Sequence, residues 1–353
     1  MSFKIDVFTY QGGSANAVVP PDIYERGVGG AELSLMTWAG IMAGRGHEVR
    51  IYNDPRVPGD YDGVVYLNRT FFNPGDKRDA FIAWRSPTHH LPTVKNCLKI
   101  HWSCDQHTMG DYAKDIVPYV DLIVCISPHH EEYYTKRYGP KWEQIGHLDL
   151  GVKLEDYDLE PPPLKIPNRF IFCSVPQRGL TIVRQIWPTI KEARPDASLV
   201  ITSDYTLWGS PVAGDQEFRL DFVRAPGVEY LGNIPRARLV EEQLKAEVHL
   251  YPCSYDELFC ISAAECQVAG AYPITSDMGA LPTTNEFGSV FANFSDSPKW
   301  KGAYTQAVLS TIEHIGPDAR VEMTRRARAR FAWKIICNKW ERLIEAGSWG
   351  AVR

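Results

Sequence analysis

The sequence has no apolar run approaching the ~20 residues that a membrane-spanning helix needs, no low-complexity tract and no short internal repeat. It also lacks excess positive charge. The formal net charge is -5, so no overall field draws a phosphate backbone, and nucleic acid is not expected among the partners. No phosphate-loop lysine motif and no Gly-x-Ser-x-Gly elbow occurs. The eight cysteines stand singly at 97, 104, 125, 173, 253, 260, 266 and 337, and none forms Cys-x-x-Cys. That spacing fits reduced, buried thiols in a cytoplasmic protein better than disulfides or a zinc site. The first strand candidate, residues 3–10, carries charges close to Met1 and predicts against a signal peptide.

What is present is an ordinary globular composition, 44% hydrophobic and 23% charged over 353 residues, enough for two cores. Strand and helix signals alternate throughout, which predicts an α/β protein with a mostly parallel sheet in each half. Strand candidates in the first half are 3–10, 48–52, 63–67, 80–84, 98–102 and 121–127. Ser127 and Pro128 are placed to start a helix. Residues 154–168, with Pro161-Pro162-Pro163 and Pro167, read as a linker. Further strands are expected at 169–174, 197–202, 228–233, 248–252 and 271–276. A single long helix, basic at first and then amphipathic, is expected over 325–344. Its pattern is compatible with peripheral contact at a membrane, although Trp333, Ile336, Trp340 and Leu343 at three-to-four spacing suggest packing on the protein itself.

Two strand-to-helix steps are suited to an anion. Gly27-Val28-Gly29-Gly30 and Ser174-Val175-Pro176-Gln177-Arg178-Gly179-Leu180 each open a helix with free backbone N–H groups, and Arg178 can fork onto a phosphate. His101, Asp105 and His107 follow a strand and could orient or deprotonate a hydroxyl. Glu257 sits in a loop after a strand, and Glu265 lies about two helical turns on, a rise of roughly 12 Å, so the pair could hold two parts of one extended ligand. Taken alone, each of these has a plain structural reading as a turn glycine or a solvated acid. Asp60-Tyr61-Asp62 and Asp156-Tyr157-Asp158 are read as solvated loop acids rather than as a metal clamp.

In order along the chain, Gly29-Gly30-Ala31-Glu32, Cys125-Ile126-Ser127-Pro128, Leu150-Gly151-Val152, residues 174–180, the Glu257-x7-Glu265 element and Phe331-Ala332-Trp333 resemble the motifs of the GT-B glycosyltransferases, in particular glycosyltransferase family 4. The resemblance covers nearly the whole chain. It implies GT-B architecture, with two Rossmann-like domains facing a central cleft. The acceptor domain would be 1–160, joined by a C-terminal helix of about 333–353 that crosses back to it, and the donor domain 161–332. It further implies a retaining, metal-independent transfer of a sugar from a nucleoside-diphosphate sugar to a hydroxyl of a glycan, lipid-linked or protein acceptor, with no cofactor. Glu265 would accept from the ribose hydroxyls. Glu257, with the backbone N–H groups of Phe259, Cys260 and Ile261, would hold the donor sugar and phosphate. Arg178, Ser174 and the Gly29 and Gly30 amides would meet the diphosphate. Asp105 and His107 would act in catalysis, with His101 and Asp105 towards the acceptor. The chain departs from the pattern in offering one cation, Arg178, near the phosphates, and in carrying Cys104-Asp105 where the family has His-Asp. Three other readings stay open: a different GT-B activity such as sugar-nucleotide epimerisation, a nicotinamide oxidoreductase using Gly27–Gly30 with Asp54 as ribose acid, and a non-catalytic carbohydrate-binding relic.

Overall fold

The alternating signals resolve into two separate parallel sheets. The computed structural model describes residues 1–9, 17–86, 88–107, 110–208 and 216–353. The chain divides into one unit of Met1–Pro21, Gly30–Gly151 and Trp333–Arg353 and another of Asp22–Gly29 and Val152–Ala332.

The first unit holds β1 (Lys4–Thr9), β2 (Glu48–Tyr52), β3 (Gly59–Tyr61), β4 (Val64–Leu67), β5 (Ala80–Trp84), β6 (Leu98–Trp102), β7 (Leu122–Cys125) and β8 (Ile145–His147). They line up as β3-β4-β2-β1-β5-β6-β7-β8, parallel except for β3 against β4. The fully buried Ala80-Phe81-Ile82-Ala83-Trp84 is the continuous apolar pattern of a strand covered on both faces. β3 and β8 were not expected, because three residues are too few to show a period. Ser127 caps the helix Pro128–Tyr138 by accepting from the His130 amide at 3.0 Å, and Gly139 ends it at φ +62°.

The second unit holds β9 (Arg169–Phe172), β10 (Ser198–Ile201), β11 (Val228–Tyr230), β12 (Val248–Tyr251), β13 (Tyr272–Ser276) and β14 (Ser289–Phe291). Their order is β11-β10-β9-β12-β13-β14, all parallel. Connections leave β9 towards one edge and β12 towards the other. The ends of β9 and β12 therefore form a topological switch point, where open sheets of this kind bind ligands.

Two expectations change here. The stretch 154–168 is not a free linker but lies on the second unit, and the chain passes between units after Gly151. Tyr157 donates to Gln243 at 2.7 Å, Asp156 and Asp158 pair with Arg236 and Arg328 at 2.9 and 2.6 Å, and Lys165 donates to the carbonyls of Ala246 and Ala269. Asp156 is thus a largely buried, paired acid, while Asp158 stays exposed to solvent beside its arginine. The long terminal helix is also two helices, Pro317–Phe331 and Trp333–Ala346. Ala332 between them is extended and bridges to Val152, whose amide donates to the Phe331 carbonyl at 2.8 Å. The second of these helices belongs to the first unit, where Trp340 packs against Trp38 and Trp102 with ring centroids 5.3 and 4.9 Å apart. Among the described residues no helix is long and apolar enough to cross a membrane.

Candidate functional site

The switch point of the second unit brings two predicted groups into one contact. After β9 the chain makes a turn, Pro176–Arg178, and enters the helix Leu180–Ala193 through Gly179. Gly179 has φ +121°, and a Cβ there would overlap the Pro252 carbonyl from the loop after β12. Only glycine lets these two loops cross so closely. Arg178 Nη1 consequently reaches both carboxylate oxygens of Glu257, at 3.0 Å each, and its guanidinium lies 4.7 Å from the Tyr255 ring centroid. The proposed phosphate cation and the proposed sugar-holding acid are partners, not separate stations.

Glu257 is held from three directions. Tyr251, at the end of β12, donates to its Oε1 at 2.5 Å, and the same hydroxyl lies 3.2 Å from Ser174 Oγ. The Glu257 carbonyl accepts from the Ala280 amide at 2.7 Å, and Gly279, at φ +60°, packs on the Glu257 backbone where any Cβ would collide. Burial pushes the Tyr251 phenol well above its ordinary value, so it remains a donor. Burial works against the charge on Arg178, but the Glu257 carboxylate outweighs it and drives the guanidinium further towards the charged form. Among the described residues Nε of Arg178 has no hydrogen-bond partner.

Cys260 stands at φ +70°, ψ 75°, an uncommon conformation for a residue with a Cβ, and leads into the helix Ile261–Val268 without a side-chain cap. The amides of Cys260 and Ile261 thus flank the uncapped start of this helix, while the Phe259 ring packs edge-on against Phe331 at 6.0 Å. Glu265 lies on the same helix, buried. One oxygen accepts from Arg236 at 2.6 Å and the other from Gln243 at 3.1 Å. Burial raises its carboxyl above the usual range, with Arg236 opposing. Nothing in the sequence marked Arg236 or Gln243, which lie one helix earlier; only the packing of the helix Arg236–Lys245 brings them to Glu265.

In the first unit two predicted residues, His101 and Asp105, stand differently from the expectation. His101 is buried within β6, its Nδ1 3.0 Å from the Ala83 carbonyl, and burial lowers it to about 3, so it is a neutral structural ring rather than an acceptor-side group. Asp105 is not a free base: Arg85 grips both of its oxygens, at 2.6 and 2.7 Å, while also reaching Glu32 at 2.5 Å. His107 is exposed, its ring 6.5 Å from that of Tyr133. Gly30 opens the helix Gly30–Gly44, but Glu32 already puts a carboxylate in its first turn, and the unit division falls between Gly29 and Gly30. Arg85, at φ +65° directly after β5 and beside the switch between β1 and β5, was missed. An arginine immediately after a strand was the signal that could have found it. Asp54, the ribose acid of the oxidoreductase reading, is bound by Arg69 through its amide and its Nε, both at 2.6 Å.

No family model and no curated protein matches the sequence. Solved structures do resemble it. Sucrose-phosphate synthase from Thermosynechococcus elongatus is 16% identical with TM-score 0.69, covering 97% of this chain and 98% of that one. A glycosyltransferase from Rickettsia africae is 13% identical with TM-score 0.73, covering 98% and 99%. Anabaena HepE, in complex with UDP and glucose, is 13% identical with TM-score 0.68, covering 97% and 100%. The chain therefore has the fold of the GT-B glycosyltransferases, two parallel-sheet α/β domains with the last helix returned to the first.

Proposed function

We propose that this protein is a retaining glycosyltransferase, moving a sugar from a nucleoside-diphosphate donor to a hydroxyl of a glycan, lipid-linked or protein acceptor without a metal ion in the reaction. The observation that carries the reading is the Arg178–Glu257 pair at the crossing of the β9 and β12 loops. Nη1 is engaged by Glu257, and the remaining N–H groups of the five-donor guanidinium are suited to a diphosphate. As the sugar–phosphate bond breaks, charge grows on the leaving diphosphate. A fixed cation and the uncapped amides at Cys260 and Ile261 meet that charge without reorganisation. Glu257, held by Tyr251 and Arg178, accepts hydrogen bonds from the donor sugar's hydroxyls. Glu265 takes the ribose: its oxygens use one lone-pair direction each on Arg236 and Gln243 and keep the others for hydroxyl donors. The leaving phosphate helps to deprotonate the acceptor on the same face. His107, exposed after Asp105, serves the acceptor side in the first unit.

The complexes of HepE with UDP and UDP-glucose, and of starch synthase IV with ADP and acarbose, support a nucleoside-diphosphate donor for this fold. The test is a thermal-shift and calorimetric screen of UDP-, GDP-, ADP- and dTDP-sugars against the native protein and Glu265→Ala. One donor should raise the melting temperature of the native chain and lose most of that effect in the variant. Equal affinity in both, or no response to any donor, sinks the reading.

A further inference from the structure

Behind the Glu265 helix, three side chains converge: Cys173 just after β9, His249 in β12 and Cys266 in the helix Ile261–Val268. One ligand atom from each, the two sulfurs and a ring nitrogen, lie within 4.8 Å of one another. The two sulfurs are 3.7 Å apart. Two thiolates bound to one tetrahedral zinc ion, each at about 2.3 Å, stand about 3.8 Å apart, so the sulfurs already have the spacing of a shared metal. His249 supplies an independent sign. It is fully buried, yet among the described residues neither ring nitrogen has a hydrogen-bond partner, a costly state for an imidazole with no ligand to meet.

We propose that Cys173, His249 and Cys266 form a binding site for a thiophilic divalent cation of the zinc class, with a water in the fourth position. Two thiolates and a neutral imidazole leave the bound ion with no net charge, which suits a site walled by Ile171, Val200, Ala246 and Ala271. Binding releases two thiol protons to solvent. The half-buried Cys173 gives the ion a way in. Gln243 Nε2, 3.8 Å from Cys173 Sγ, donates to that sulfur and also bonds Glu265. The ion takes no part in sugar transfer. It ties together β9, which leads to Arg178, β12, which ends in Tyr251, and the helix that carries Glu265.

The experiment uses the full chain, purified with reductant and chelator, then desalted and titrated with Co2+. One ion per chain is expected, with the intense visible bands of tetrahedral thiolate-bound cobalt and sulfur-to-cobalt charge transfer in the near ultraviolet, both discharged by Zn2+. Cys173→Ser and Cys266→Ser should lose the bands, while the control Cys97→Ser keeps them. Cys173→His, which retains a ligand, should keep the ion with weaker charge transfer, so the outcome does not depend on the serine variants folding. Absence of stoichiometric bands in the native chain, bands unchanged in Cys173→Ser, or a Cys173–Cys266 disulfide persisting in the reduced preparation would overturn the site.

Discussion

Arg178 and Glu257 were each legible as candidates, one at a helix start and one in a loop after a strand; that they form a pair was not. Arg178→Ala leaves the carboxylate of Glu257, 2% exposed, without its cation. Because the Arg178 side chain is itself 28% exposed, the stability cost should be about 2–3 kcal/mol, below the ~3–5 kcal/mol of a fully buried pair. Turnover should fall by roughly 100- to 1,000-fold through loss of leaving-group stabilisation. The double variant Arg178→Met/Glu257→Gln separates the two effects. It should recover most of the stability in urea unfolding and none of the donor turnover. Gly179→Ala puts a Cβ at φ +121° against the Pro252 carbonyl. An upward-opening strain of about 1–3 kcal/mol or more is expected, read as a lower urea midpoint together with weaker donor binding. His101 and Asp105 show the opposite lesson. Their polarity was visible, but the fold had already committed the first to the interior of β6 and the second to Arg85.

At the level of elements, the proline-rich stretch 154–168 was read from composition as a spacer, and its side chains make it a strap on the second unit. Lys165 serves two helix ends at once, donating to the carbonyls of Ala246 and Ala269, which follow the helices Arg236–Lys245 and Ile261–Val268. Burial pushes its ammonium down from the usual 10.5 to about 7. Between those values the unfolded chain holds the proton and the folded chain does not. Stability should therefore rise as pH climbs from about 7 towards 10.5, and this contribution should be flat below about 7, where both states hold the proton. Urea unfolding at a series of pH values from about 7 up to about 10 should show this slope in the native protein, and Lys165→Met should flatten it. The helix break at Ala332 has a similar origin. No glycine or proline interrupts 325–344, so the stretch reads as one helix, while the Val152 pairing that extends Ala332 comes from far earlier in the chain.

For the whole molecule, the terminal helix Trp333–Ala346 is part of the first unit's core, not an appendage. Trp340 packs on both Trp38 and Trp102, which also meet each other edge-on, and Gly151 lies flat against Trp333, where a Cβ would overlap the indole. Trp340→Ala should cost about 3–5 kcal/mol, seen as a large fall in melting temperature without loss of the second unit's donor affinity. A parallel drop in donor affinity would show that the second unit cannot hold its site alone.

The sequence by itself determined the α/β alternation, the two sheets, most strands of more than three residues, and the order of motifs that pointed to the GT-B fold. These follow from periodicity and turn chemistry, which are local along the chain. Only the tertiary structure decided which side chains share a site. The Arg178–Glu257 pair, the hold of Arg236 and Gln243 on Glu265, the Arg85 clamp on Glu32 and Asp105, and the convergence of Cys173, His249 and Cys266 all join residues on different elements. Parallel sheets place strands side by side in an order that the chain does not follow, so β9 meets β12 across two intervening strands of sequence. Contacts of that kind carry no local period, and only the packed sheet reveals them.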